Sequence, residues 1–153
     1  MSARTDDAVF ALRAFNRFHT HLVGALEPSF LGSGFSLIEA RILYEIAVRE
    51  PALASDIRAA LGLDAGYLSR IIARMERGGL IMRGRGEDAR QRPIRFTSEG
   101  RALFERVDAD ARARATGAVA HRDAGECTAL VAALGTITAL LSKASVSKRD
   151  RDG

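Results

Sequence analysis

A mostly α-helical fold carrying one short β-hairpin is predicted by three features of this 153-residue sequence. Ala, Leu and Arg are abundant while aromatic residues make up only 6% and Trp is absent, a balance that favours helix over sheet. Apolar residues recur at spacings of three and four along most of the chain, the period of an α-helix with one buried face. A single region, 80–96, breaks that period with two short extended runs around a polar loop, which is a hairpin pattern.

The first helix is expected over about 6–26, where Val9, Leu12, Phe15, His19, Leu22, Val23 and Leu26 share a stripe. Pro28 closes it, and a Gly-rich connector over 30–35 leads to Ser36-Leu37-Ile38-Glu39. There Ser36 can cap the next helix while Glu39 reaches back to it. Ile42, Leu43 and Ile46 form that helix's buried stripe. After Pro51, a short helix over about 54–61 ends at Gly62, and Asp64 caps another that stops at Gly78-Gly79. Two short helices joined by so brief a turn are the punctuation of a helix-turn-helix. In the second of them Leu68, Ile71, Ile72 and Met75 face inward, leaving Tyr67, Arg70, Arg74 and Arg77 on an outer stripe. Residues 80–83 and 93–96 are the hairpin strands and 84–92 the loop, so the hairpin forms a wing beside the helix-turn-helix. Thr97 is placed to cap a long helix through Leu103, Phe104, Val107 and Ala111, and a last helix carries Cys127, Leu130, Leu134, Ile137 and Leu141.

Charge is distributed unevenly. The net charge is +4 with an isoelectric point near 10.0, but 69–95 alone holds 8 arginines against 3 acids, leaving 15 basic and 16 acidic residues elsewhere. One segment supplies the whole positive excess, as a polyanion-binding surface requires. The single cysteine, Cys127, permits no intramolecular disulfide, and the N-terminus shows no signal-peptide pattern, so a cytoplasmic location is expected. The longest apolar run, 127–141, is interrupted by Thr128, Gly135, Thr136 and Thr138. It is read as a buried helix with Cys127 a small core hydrophobe, and no membrane partner is expected. His19 and His21, two residues apart on a helix, point roughly 200° apart and cannot share a metal ion; His19 is read as a packed or pocket-lining residue. With no phosphate-cradling Gly loop, paired metal-ligand motif or nucleophile turn, neither a cofactor nor an enzymatic activity is expected.

Three motifs carry a family resemblance: Leu61-Gly62-Leu63-Asp64, Tyr67-Leu68-Ser69-Arg70 through Gly78-Gly79-Leu80, and Asp88-Ala89-Arg90 with Phe96-Thr97-Ser98-Glu99-Gly100. In this order and spacing the chain resembles the MarR family of bacterial regulators from about Val9 to Leu141. Phe15-Asn16-Arg17-Phe18, Phe35-Ser36-Leu37 and Glu39-Ala40-Arg41 are similar to the subgroup often fused to a GNAT-type acetyltransferase, a domain not found within these 153 residues. The sequence departs from the family at Leu53, where a capping Thr is common, and at Ala89, where a basic residue often adds to the wing.

The resemblance implies a winged helix-turn-helix with a two-stranded β wing and a helical dimerisation platform. One domain would span 1–143, with dimerisation helices at about 6–26 and 98–142, the winged helix-turn-helix at about 36–97, and a disordered tail at 144–153. Its partners would be double-stranded DNA and a second copy of itself, and its role that of a ligand-responsive repressor on a palindromic operator. Ala65, Gly66, Tyr67, Ser69 and Arg70 would approach base edges or nearby phosphates, and Arg74 the DNA backbone. Small residues at a helix start admit the groove, and Arg pairs bidentately with guanine. Arg90 and Arg92 would enter a minor groove, with Asp88 holding Arg90 by an ion pair. A solvated amphipathic helix and a charged loop share these patterns. A crevice lined by Phe15, Arg17, Phe18, His19, His21, Arg41 and Tyr44 would suit a small aromatic or carboxylated effector. Two other functions stay open: a regulatory or protein-interaction domain related to a fused acetyltransferase, and a nonspecific architectural DNA binder.

Overall fold

The computed structural model describes residues 3–26, 29, 32–85 and 91–149, with side chains between 4 and 142. In chain order the elements are α1 (Ala3–Leu22), α2 (Leu37–Arg49), α3 (Ala54–Leu61), α4 (Ala65–Arg77), β1 (Ile81–Arg83), β2 (Ile94–Phe96), α5 (Ser98–Val119) and α6 (Ala124–Arg149). The chain divides into two compact units, 1–111 and 112–153.

Local signals set most helix ends in the first unit. Ser36 Oγ accepts from the Glu39 amide at 3.3 Å, and Ser36 N donates to Glu39 Oε2 at 2.7 Å, so the expected capping box is formed. α3 begins at Leu53 without a side-chain cap and ends at Gly62 with φ of 64°, a left-handed conformation that costs a residue with a Cβ roughly 1 kcal/mol. Asp64 then caps α4 by accepting from Tyr67 N at 2.8 Å. In the wing, Ile81 lies opposite Phe96, Met82 opposite Arg95 and Arg83 opposite Ile94. The alternation buries Ile81, Ile94 and Phe96 and exposes Met82 and Arg95, as a half-buried strand pair requires. Ala52 also joins this sheet, its N and O each bonded to Ile94 at 2.9 and 2.8 Å. One residue of pairing leaves no alternation in the sequence, so no periodicity announces it.

The core is built where these elements meet. Ile42, Leu43 and Ile46 of α2, Ile57 of α3, Leu68, Ile71, Ile72 and Met75 of α4, and Ile81, Ile94 and Phe96 of the wing form one buried cluster. Each fully buried Ile or Leu contributes about 1.5–3 kcal/mol. Phe104 stacks on Phe96 with ring centres 5.6 Å apart, and Leu103, Val107 and Ala111 pack with Leu37 and Ala40, seating the first half of α5 on α2.

On α1, Val9, Leu12 and Leu22 of the expected stripe are exposed and Phe15 and Val23 part-buried, while Phe10 and Phe18, off the stripe, are 73% and 62% exposed. The helix itself ends at Leu22, before the expected 26. One expectation is corrected in the second unit: 127–141, expected as a buried helix too interrupted to span, lies within Ala124–Ser142, which by length and composition alone could span a membrane and of which none is buried. The interruptions are weak because Thr128, Thr136 and Thr138 each donate their hydroxyl to the carbonyl four residues earlier, at 2.8–3.0 Å. Cys127 is half-buried. Apolar residues surround α6 on all sides, and one face cannot shelter the others. The helix also runs on to Arg149, into the segment expected as a tail.

Candidate nucleic-acid interface

Ala65, Gly66, Tyr67, Ser69, Arg70 and Arg74 are all exposed on the outer face of α4, because the inner stripe is committed to the core. A Cβ added at Gly66 would lie 3.6 Å from Arg70 Nη1 and 3.3 Å from Asp64 Oδ1. The Arg70 guanidinium therefore lies back along the first turn, beside a backbone left open by two small residues. Arg70 and Arg77 have no carboxylate partner among the described residues. Arg74 does have one, donating through Nη2 to Glu39 Oε1, so it is not the free cation the outer stripe suggested.

Beside α4, the base of the wing is fixed by another ion pair. Arg83 Nε donates to Glu76 Oε2 at 2.8 Å, and this hydrogen bond above all, helped by the charges of Arg83 and Arg92, holds the Glu76 carboxyl below its ordinary value against the opposing effect of burial. Asp88 and Arg90 lie outside the described residues. Arg92 is exposed but is turned back on the wing, with Nε 3.3 Å from Gly84 O and Nη2 3.4 Å from Arg83 O. Between α3, α4 and the wing opens a cleft of about 490 Å³. Its floor is buried Leu68, Ile72 and Ile94, and its exposed rim includes Ser55, Arg58, Ser69 and Arg92.

The residues expected around an effector lie on α1 and α2. Phe15 and His19 stack one turn apart on α1, ring centres 5.7 Å apart and 19° from parallel. His19 is nevertheless exposed, so it is not a core histidine. Arg17, Phe18 and His21 are exposed on α1, and Arg41 and Tyr44 on the α2 face away from Ile42, Leu43 and Ile46. Sequence reasoning missed the three glutamates that hold the lobe together: Glu39 on Arg74, Glu76 on Arg83, and Glu50, which accepts from Phe96 N at 2.9 Å and from Arg101 Nη2. Glu39 carried a local signal as a cap; nothing in its spacing pointed to residue 74.

A helix-turn-helix with an exposed basic second helix, followed by a two-stranded wing, is a winged helix-turn-helix. Residues 33–92, the helix-turn-helix and most of the wing, match the sequence model of the MarR family. Solved structures agree over nearly the whole chain. A MarR family transcription regulator aligns at 26% identity with a TM-score of 0.77, covering 93% of this chain and 95% of its own. MarR of Staphylococcus aureus, solved with salicylate and kanamycin, aligns at 20% identity and a TM-score of 0.73, covering 93% and 99%. The Mycobacterium tuberculosis regulator MOSR, solved with DNA, aligns at 24% identity and a TM-score of 0.53, covering 88% and 96%. Comparison with curated proteins returns no match.

Proposed function

We propose that this protein is a cytoplasmic, non-enzymatic transcriptional regulator that binds a palindromic operator as a homodimer and represses until a small effector releases it. The observation that carries the reading is the face of α4, where Ala65, Gly66, Tyr67, Ser69 and Arg70 are exposed together beside the wing. Small residues let the helix enter a major groove, and Arg70 has the reach and donors to read guanine. Arg58, Ser55 and Ser69 on the cleft rim suit the flanking phosphates, and Arg90 with Asp88 would complete the wing contact. The M. tuberculosis relative solved with DNA supports this use of the fold.

Dimerisation is supported by the uncovered apolar side chains of α1 and α6, since large exposed apolar patches mark interaction sites. A two-fold partner would cover them and present two recognition helices to two half-sites. Release by an effector is supported by the aromatic and cationic side chains of Phe15, Arg17, Phe18, His19, His21, Arg41 and Tyr44. Along a dimer crevice they would suit a small aromatic carboxylate, and the S. aureus relative was solved with salicylate.

The test is a mobility shift on the upstream intergenic duplex with excess unrelated DNA. A regulator keeps a large specificity ratio; equal affinity for all duplexes would replace this reading with an architectural binder. Arg70→Ala is expected to cost roughly 1–3 kcal/mol per half-site on the operator and to relax preference at one base pair. Aromatic acids titrated into the complex should release wild-type protein and not Arg41→Ala. Release of both alike would remove Arg41 from the effector site.

A further inference from the structure

Glu39 serves two elements with one carboxylate. It sits in the first turn of α2, where Oε2 accepts from Ser36 N at 2.7 Å. The other oxygen, Oε1, accepts from Nη2 of Arg74, 35 positions away in the middle of α4. The Glu39 side chain is 12% exposed and that of Arg74 is 61% exposed. One edge of the guanidinium thus points inward onto a sheltered carboxylate, and the remainder lies on the outer face between Arg70 and Arg77. A sheltered carboxylate needs its hydrogen bonds filled, and both oxygens here have a donor.

We propose that Glu39 is a positioning residue for DNA recognition: it clamps α4 to the start of α2 and presents Arg74 to the duplex as an oriented, partly neutralised donor. The inference rests on α4 being the DNA-reading helix. A charge-assisted hydrogen bond through Nη2 restrains the guanidinium, so its free donors meet a phosphate over a narrower range of geometries. Without Glu39 the same arginine would be a mobile full charge that any phosphate could take. Nonspecific binding, which is governed by cation count and counterion release, would then tighten while operator preference fell. Glu39 in this reading gives selectivity at the expense of raw affinity.

Glu39→Gln is the informative variant, because Gln also fills the capping box while removing the charge. Affinity for operator and for random duplex would be measured across a salt series for wild type, Glu39→Gln and Arg74→Lys. Glu39→Gln should bind random duplex more tightly, steepen its slope of log affinity against log salt by about 0.9 per freed charge, and lower the operator-to-random ratio severalfold. Arg74→Lys keeps the charge and loses the planar fork, so it should weaken operator binding and leave random duplex nearly unchanged. Wild-type slope and ratio in Glu39→Gln would overturn the proposal even if its melting temperature fell. Should that variant not fold, equal losses on both duplexes in Arg74→Lys would overturn it. Wild-type protein that binds no duplex removes the DNA-binding reading itself, and this inference with it.

Discussion

Gly100 occupies the first turn of α5 with no space for a side chain: a Cβ there would sit 1.8 Å from the Leu80 carbonyl oxygen. The same turn is held by Thr97, whose Oγ1 accepts from Gly100 N at 3.0 Å and lies 2.5 Å from Gly79 O. Leu80 is the link between the end of α4 and the wing, so this contact seats the start of α5 on the helix-turn-helix and wing. Gly100→Ala must displace backbone rather than a side-chain tip, and a loss of about 1–3 kcal/mol or more is expected. Gly62→Ala makes the contrast, since nothing lies within 4 Å of the added methyl but φ is +64°; only the backbone term of roughly 1 kcal/mol is lost. Chemical denaturation of both variants checks this. A Gly100→Ala midpoint equal to wild type would mean that α5 does not rest on Leu80. Gly62 was legible as a helix stop because its role is local. Gly100 stood in a motif, but the carbonyl that excludes a side chain comes from twenty positions earlier and leaves no mark beside it.

At the scale of elements, the wing is tied to α4 by Glu76 and Arg83, with side chains 32% and 28% exposed. The Glu76 carboxyl is held below its ordinary value of 4.5 mainly by its hydrogen bond to Arg83. A carboxyl lowered on folding adds stability that is fully present above the unfolded value and fades as pH falls through the folded one. Wild type should therefore exceed Glu76→Gln in stability at neutral pH, by no more than about 1 kcal/mol for so open a pair, and the two should converge below pH 4.5. Parallel curves down to pH 3 would show that the pair contributes nothing. Caps and stripes at this scale could be read directly: Ser36, Asp64 and the apolar stripe of α4 act within four residues of themselves. The bonds that orient one element on another could not, because Glu39 with Arg74 and Glu50 with Arg101 join positions whose separation follows from the fold alone. The same limit applies to Arg92 of the wing loop, whose bonds to the carbonyls of Gly84 and Arg83 follow from the hairpin's closure and not from its spacing.

For the molecule as a whole, the decisive quantity is the apolar surface that one chain leaves uncovered. α6 is 26 residues long, roughly 39 Å at 1.5 Å per residue, and Val131 and Leu140 on it are 72% and 64% exposed. Helical periodicity found an apolar stripe on this helix but could not say what covers it. If a second copy covers this helix, an interface of at least about 1,000 Å² is needed for a stable pair, and melting temperature must rise with protein concentration. Val131→Glu tests that directly. On an exposed monomer surface the change is close to neutral, within about 0.5 kcal/mol, whereas in an interface it buries an unpaired carboxylate. The expected result is a monomer by sedimentation, a melting temperature independent of concentration, and operator affinity reduced at least tenfold because only one half-site is engaged. Random-duplex affinity per recognition helix should stay near wild type, since α4 and its arginines are untouched. A Val131→Glu protein that remains dimeric would move the interface elsewhere. Wild-type protein that is monomeric at every concentration and floats with lipid vesicles would assign the apolar helix to a membrane surface instead.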